Sequence, residues 1–167
     1  MRKFEYVSDN ELRSAFSFFP DSRSRQLEKI KNYIKLPERG TPQSAGYDFY
    51  LPMDVSLKPG EAKKIPTGIK AYMKDDEVLQ IYPRSGLGFV YHLRVSNTVG
   101  IIDADYADNA KNEGHIFIKI RNEGEKVLEL EAGSRFAQGI FTKYLTVKND
   151  STINDSREGG LSSTGTK

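Results

Sequence analysis

Cysteine is absent from this 167-residue chain. Disulfides and thiolate nucleophiles are therefore excluded, and the composition fits a cytoplasmic protein without demanding one. No apolar run is long enough to span a bilayer, so no membrane role is expected. The opening Met1-Arg-Lys-Phe-Glu-Tyr6 lacks the apolar stretch of a signal peptide. Charge of one sign is also scarce. A net charge of +2 does not suit a nucleic-acid scaffold. The small basic excess lies near the N-terminus, where Arg23, Arg25, Lys29, Lys31 and Lys35 outnumber Glu28. Hydrophobic residues make up 37%, so part of the chain is expected to be flexible or covered only in an oligomer. No His-Glu-x-x-His, Gly-x-Gly-x-x-Gly or Walker loop is present, and no Gly-x-Ser-x-Gly elbow favours a serine hydrolase. His92 and His115 are not spaced as a metal pair.

What is present, from about residue 45 to 147, is a series of short strand-like pieces broken by turns. They are Tyr47 to Leu51, Val55 to Leu57, Ala62 to Ile65, Gly68 to Met73, Val78 to Tyr82, Val90 to Val95, Gly100 to Ile102, Ile116 to Ile120, Val127 to Leu130 and Arg135 to Val147. Lys58-Pro-Gly60 and Lys74-Asp-Asp76 read as turns. Many short strands at regular spacing suggest a closed or double-sheet all-β domain, and no sustained helical period interrupts them. The first 36 residues differ. Phe4 to Val7 is a candidate strand, and Asp9 and Asp21 or Ser22 are candidate helix caps. Leu27, Ile30 and Ile34 recur at helical spacing before Pro37, which predicts an amphipathic helix over about 22–35. Such a helix either lies on the β domain or docks a partner. Beyond about Val147 the chain is polar and glycine-rich and cannot fold alone. The expected organisation is an N-terminal strand and helical extension over 1–36, a β core over 37–148 and a flexible arm over 149–167.

Several segments could carry chemistry. In Val95-Ser-Asn-Thr-Val-Gly-Ile-Ile-Asp-Ala-Asp-Tyr106, Asp103 and Asp105 follow an apolar run directly. A carboxylate there is either a turn former or a general base. Pro83-Arg-Ser-Gly-Leu-Gly88 offers the planar donor fork of Arg84, the hydroxyl of Ser85, and glycines at 86 and 88 that let backbone N–H groups approach an anion. The bland reading is a turn with a solvated arginine. Arg157 with Gly159, Gly160, Ser163, Thr164 and Gly165 has the composition of an anion nest or of a disordered linker. Gln138, in the apolar strand Arg135-Phe-Ala-Gln-Gly-Ile-Phe141, must find a partner or face a site.

In order and spacing these segments, with Ala45-Gly-Tyr-Asp-Phe-Tyr50, resemble the five motifs of the homotrimeric dUTP pyrophosphatases (dUTPases), over about residues 37–167. Asn112-Glu-Gly-His-Ile-Phe117 is similar to a longer loop in dUTPases of Gram-positive bacteria and their phages. The resemblance implies a jelly-roll-like fold of β-clip type and three subunits with interfacial active sites. It also implies magnesium-dependent hydrolysis of dUTP to dUMP and pyrophosphate in the cytoplasm, which is the host's if the protein is phage-encoded. It puts the general base on Asp103 and leaves Asp105 structural. Tyr106 would pack under the deoxyribose, and Asn97 would read the uracil edge. Arg84, Ser85, Gly86 and Gln138 would hold phosphate oxygens. Asp48 would organise arginine and water near the metal, touching magnesium only indirectly, through water. Arg157, Ser163 and Thr164 would close over a neighbouring subunit's substrate.

The family's fifth motif carries a phenylalanine on uracil where this chain has Leu161, and a glycine where it has Ser162. The spacing from Arg157 is also one residue shorter than in many members. Aromatic stacking contributes roughly 1–3 kcal/mol per base, so Leu161 implies weaker closure. The segment 8–36 matches no family motif. Two rivals share the fold: a dCTP deaminase, disfavoured by Gly-Ile-Ile-Asp-Ala-Asp-Tyr106, and a protein acting mainly through a regulatory protein partner.

Overall fold

The computed structural model describes residues 1–17 and 24–152. In chain order the elements are β1 (Lys3–Tyr6), α1 (Asp9–Phe16), α2 (Ser24–Lys31), β2 (Glu38–Arg39), β3 (Tyr47–Tyr50), β4 (Val55–Leu57), β5 (Ala62–Pro66) and β6 (Ile69–Tyr72). They continue with β7 (Glu77–Pro83), α3 (Ser85–Val90), β8 (Leu93–Val95), β9 (Gly100–Asp103), a single 3-10 turn (Ala104–Tyr106), β10 (Phe117–Asn122), β11 (Leu128–Leu130) and β12 (Arg135–Lys143). All pairings among them are antiparallel. The largest sheet runs β2-β3-β12-β7-β9; smaller ones are β5-β10-β8, β11-β4 and β1-β6.

The strand period explains this layout. Along β10, Ile118, Ile120 and Asn122 are buried, while Lys119 and Arg121 between them are exposed. Side chains alternate across a strand, so this pattern fits one wet face and one core face. Its core face meets Phe49, Leu51, Leu79, Ile81, Leu93 and Phe136, all essentially inaccessible to solvent. Burying each such side chain contributes about 1.5–3 kcal/mol. The polar Asn122 is tolerated because its amide donates to the carbonyls of Leu57 and Lys126 at 2.8 Å.

The strand expected over Val90–Val95 begins only at Leu93, because α3 occupies Ser85–Val90. Two glycines and a β-branched residue give α3 poor intrinsic propensity. Tertiary packing holds it: Leu87 packs against the core, and Gly88 lies close to Pro83 and the carbonyl of Leu93. The last strand ends at Lys143 rather than Val147.

Among its described residues the N-terminal segment holds two helices. Ser8, not Asp9, caps α1, its hydroxyl accepting from the N–H of Glu11 at 3.2 Å. The helix expected to reach residue 35 ends at Lys31. Asn32, Tyr33 and Ile34 then make tighter bonds to the carbonyls three residues back. Leu12, Phe16, Leu27 and Ile30 form a second small core against Ile34, Met53 and Phe117. The helices therefore lie on the β domain. Segment 1–36 is also tied in through β1, which pairs with β6, and through Phe4, which lies against Tyr47, Phe49 and Phe141. Arg2 grips the buried carboxylate of Glu77 through both Nε and a terminal nitrogen, at 2.8 and 2.6 Å. Among the described residues no helix is long and apolar enough to cross a membrane.

His115 joins α1 to the β domain and is inaccessible to solvent. Its Nε2 accepts the N–H of Gly68 at 2.8 Å, so Nδ1 carries the proton and donates to Glu11 at 2.9 Å. That contact is a hydrogen bond from a neutral ring, not an ion pair, because Nε2 must keep its lone pair. Burial pushes the imidazole down from 6.5 to about 4, with lesser influences from Glu113 upward and Lys64 downward. The unfolded chain takes up this proton at a higher pH than the folded one. Stability is therefore complete above pH 6.5 and falls as pH drops toward 4. Burial, with the charge of Glu113, raises the Glu11 carboxyl, which opposes the trend only where carboxylates begin to protonate. Unfolding stability is expected to drop by about 2 kcal/mol between neutral pH and about pH 5. Urea titrations and NMR of the His115 ring check this; a ring that titrates near 6.5 in the folded protein contradicts it.

Candidate active site

Strand β7 sits between β12 and β9, and its two registers place the polar groups. Gln138 of β12 lies opposite both Tyr82 of β7 and Asp48 of β3. The chain leaves β7 at Pro83 and enters α3 through Arg84, whose extended backbone makes it the residue before the helix. Asp48, Gln138, Arg84, Ser85 and Gly86 thus meet at one end of β7. They line an open cleft of about 370 Å³ with Gly46 and Arg135.

Asp48 organises this cleft. Its side chain is nearly buried, and each carboxylate oxygen takes an arginine: Oδ1 faces Nε of Arg84 at 2.8 Å, and Oδ2 accepts from Arg135 at 3.2 Å. Two guanidinium groups are held by one carboxylate, each with side-chain surface still open to solvent. Charge-assisted bonds of this kind fix geometry as well as charge. Gln138 donates to the carbonyl of Pro83 at 3.1 Å, which answers the question of how an amide sits in an apolar strand. Glycine at 46 leaves room for the Gln138 amide, because a Cβ there would run into its oxygen. At 86 a Cβ would meet open space, as expected of a residue facing the cleft. Gly88 differs from the sequence expectation: its N–H is committed to the carbonyl of Arg84 at 2.8 Å. It serves helix packing and is not available to an anion.

Asp103 lies elsewhere. It ends β9, opposite Val78, while Pro83 lies opposite Ala137. The step from Val78 to Pro83 along the strand is roughly 17 Å. Asp103 precedes the 3-10 turn with extended backbone, and its side chain does not cap that turn. Asp105 is exposed within the turn, so the strand alternation does not reach it. Tyr106 is 7% exposed. Its hydroxyl donates to the carbonyl of His115 at 2.9 Å and accepts from the amide of Asn112 at 2.9 Å. Asn97 is exposed in the turn between β8 and β9, where the N–H of Val99 bonds its carbonyl at 2.7 Å. Arg157, Leu161, Ser163 and Thr164 lie outside the described residues. One chain therefore gathers a cationic cleft at one end of β7 and keeps Asp103 and Tyr106 at the other.

Against known proteins, the dUTPase family model matches residues 32–165, and the chain belongs to that family. It is 45% identical over 141 residues to the deoxyuridine 5'-triphosphate nucleotidohydrolase of Lactococcus lactis, covering 83% of this chain and 94% of that one. The dUTPase of Streptococcus mutans superposes with a TM-score of 0.65 at 34% identity, covering 87% of this chain and 98% of that one. The dUTPase from phage phi11 of S. aureus also reaches 0.65, covering 92% and 97%; at 18% identity it speaks for the fold alone. Both solved structures agree with the all-β architecture.

Arg135 is the site residue that sequence reasoning missed. It opens a segment recognised for Gln138, yet its pairing with Asp48 depends on the β3–β12 register, which shifts between Arg135 and Ala137. A crystal structure of Gly46→Ala is expected to show Gln138 swung away from Pro83. Because the amide end is flexible, stability should change by less than about 1 kcal/mol. An unmoved Gln138 would contradict the close fit.

Proposed function

We propose that this protein hydrolyses dUTP to dUMP and pyrophosphate in the cytoplasm, at sites assembled between the subunits of a homotrimer. Family membership supports the substrate. The observation that carries the assembly is the separation of Asp103 from the Arg84 cleft. Neither an aspartate nor an arginine side chain spans roughly 17 Å, and both are needed at one triphosphate. Asp103 of one subunit meeting the cleft of another resolves the conflict.

In this reading Asp103 orients a water and takes its proton as the water oxygen bonds to the α-phosphorus. The bond from that phosphorus to the oxygen bridging the β-phosphate breaks, and pyrophosphate leaves. Arg84 and Arg135, held in place by Asp48, stabilise the charge that develops on the phosphoryl oxygens. Ser85, the exposed start of α3 and Gln138 orient the chain of phosphates. The turn at Asn97 meets the uracil edge, where a wrong donor pattern would leave buried groups unpaired. The small exposed rim of Tyr106 meets the deoxyribose. Arg157, Ser163 and Thr164 close over the β- and γ-phosphates, with Leu161 over the base, excluding water.

Magnesium fits these residues in one way. Among the described residues no three His, Cys, Asp or Glu side chains form a group that could hold an ion. The cleft's carboxylate, Asp48, is already engaged by two arginines. This donor set suits an ion that arrives on the triphosphate, keeps its waters and reaches Asp48 through them. Bound there, magnesium would neutralise phosphate charge.

Asp103→Asn keeps the side-chain shape and removes the base. Pyrophosphate release from dUTP is expected to fall by roughly a hundredfold or more. Turnover near the wild-type rate would sink the assignment. A matching assay with dCTP, expected to give no deaminated product, separates this reading from the deaminase.

A further inference from the structure

The N-terminal helices match no family motif, yet α1 reaches the loop that holds Tyr106. Its cap is tied to that loop: Ser8 donates its backbone N–H to Glu113 at 2.9 Å and its hydroxyl to the same carboxylate. One turn on, Glu11, whose side chain is 11% exposed, receives Nδ1–H of His115 at 2.9 Å. His115 in turn supplies the backbone carbonyl that accepts the Tyr106 hydroxyl. Asn112 closes the loop by donating to the Tyr106 oxygen at 2.9 Å and to the His115 carbonyl at 3.3 Å. Asn109 bonds the Tyr106 carbonyl at 2.8 Å and the Asn112 side-chain oxygen at 2.7 Å. Gly114, at φ 82°, lets the loop fold back so tightly that a Cβ would come within 2.7 Å of Ala107.

From this network we infer that helix α1 sets the position of the sugar-contacting ring: Glu11 is a positioning residue that acts on Tyr106 through His115, with Asn112 as the second support. The inference rests on the dUTP reading above. The Tyr106 hydroxyl is held as both donor and acceptor, which fixes its ring. A fixed ring excludes an added 2′-hydroxyl; a loosened one gives way. Only one 3-10 turn separates the ring from Asp103, so their spacing is set together. The N-terminal segment thereby acts on substrate choice without touching substrate.

The test uses the full chain and measures kcat and KM for dUTP and for UTP. Glu11→Ala is expected to raise KM for dUTP by roughly tenfold, with a smaller change in kcat, and to narrow the preference for dUTP over UTP. Glu11→Gln keeps an oxygen for Nδ1–H and should retain most of that preference. An unchanged preference in folded Glu11→Ala, or Gln and Ala variants that lose it equally, would overturn the inference. Should Glu11→Ala fail to fold, Asn112→Asp decides. It keeps the acceptor for Asn109 and the N–H of Gly114 and removes the donor to Tyr106, so an unchanged preference there also overturns the inference. Wild type and Asp103→Asn run alongside. A wild type inactive on dUTP overturns both readings. An active wild type, an inactive Asp103→Asn and no effect of the other variants overturn this one alone.

Discussion

Strand β7 is hydrogen-bonded on both sides, and those two registers determine how far Asp103 lies from the Arg84 cleft. Slipping either pairing by one residue would turn the buried Leu79 and Ile81 toward the wrong face, so the core holds the register firmly. With the register fixed, Asp103 must sit near the start of β7 and Arg84 just past its end. The hydrophobic core thus dictates that the two groups cannot serve the same phosphate within one chain. In the proposed reading, assembly of the site between subunits follows from strand pairing.

The cationic cleft depends on a second constraint. Asp48 carries one negative charge and holds two guanidinium groups, so the cleft keeps a net positive charge in a defined shape before substrate arrives. Side chains so preorganised need little rearrangement as charge develops on a phosphoryl group. Gly46 and Gln138 complete the wall by steric fit. Far from the cleft, the loop around Tyr106 is rigid for a different reason: buried and part-buried hydrogen bonds that link Tyr106, Asn109, Asn112, His115 and Glu11.

Much of the fold was legible in the sequence because a strand with one wet face writes its period into the residues. The alternation of Ile118, Lys119, Ile120 and Arg121 is enough to place β10. Helix α3 was not legible, since Ser85-Gly-Leu-Gly-Phe-Val90 has little helical propensity and forms only where Leu87 can enter the core. The end of α2 at Lys31 was misplaced because Ile34 keeps helical spacing after the helix itself has ended. In the site, Arg84, Asp48 and Gln138 were found from their segments and do converge. The role of Arg135 was hidden, because an ion pair between residues 87 positions apart depends on cross-strand register. The reach of Glu11 to His115, 104 positions away, left no local trace for the same reason.

The division of the site between subunits is the central claim, and mixing two damaged proteins tests it most directly. Asp103→Asn and Arg84→Ala would be prepared separately, each expected to be nearly inactive, then dissociated and reassembled together. Hybrid trimers contain interfaces where an intact Asp103 faces an intact Arg84 cleft. Turnover of dUTP well above the sum of the two parents is the predicted result. A mixture that never exceeds that sum, despite demonstrated subunit exchange, would place both groups in a site within one chain and contradict the account.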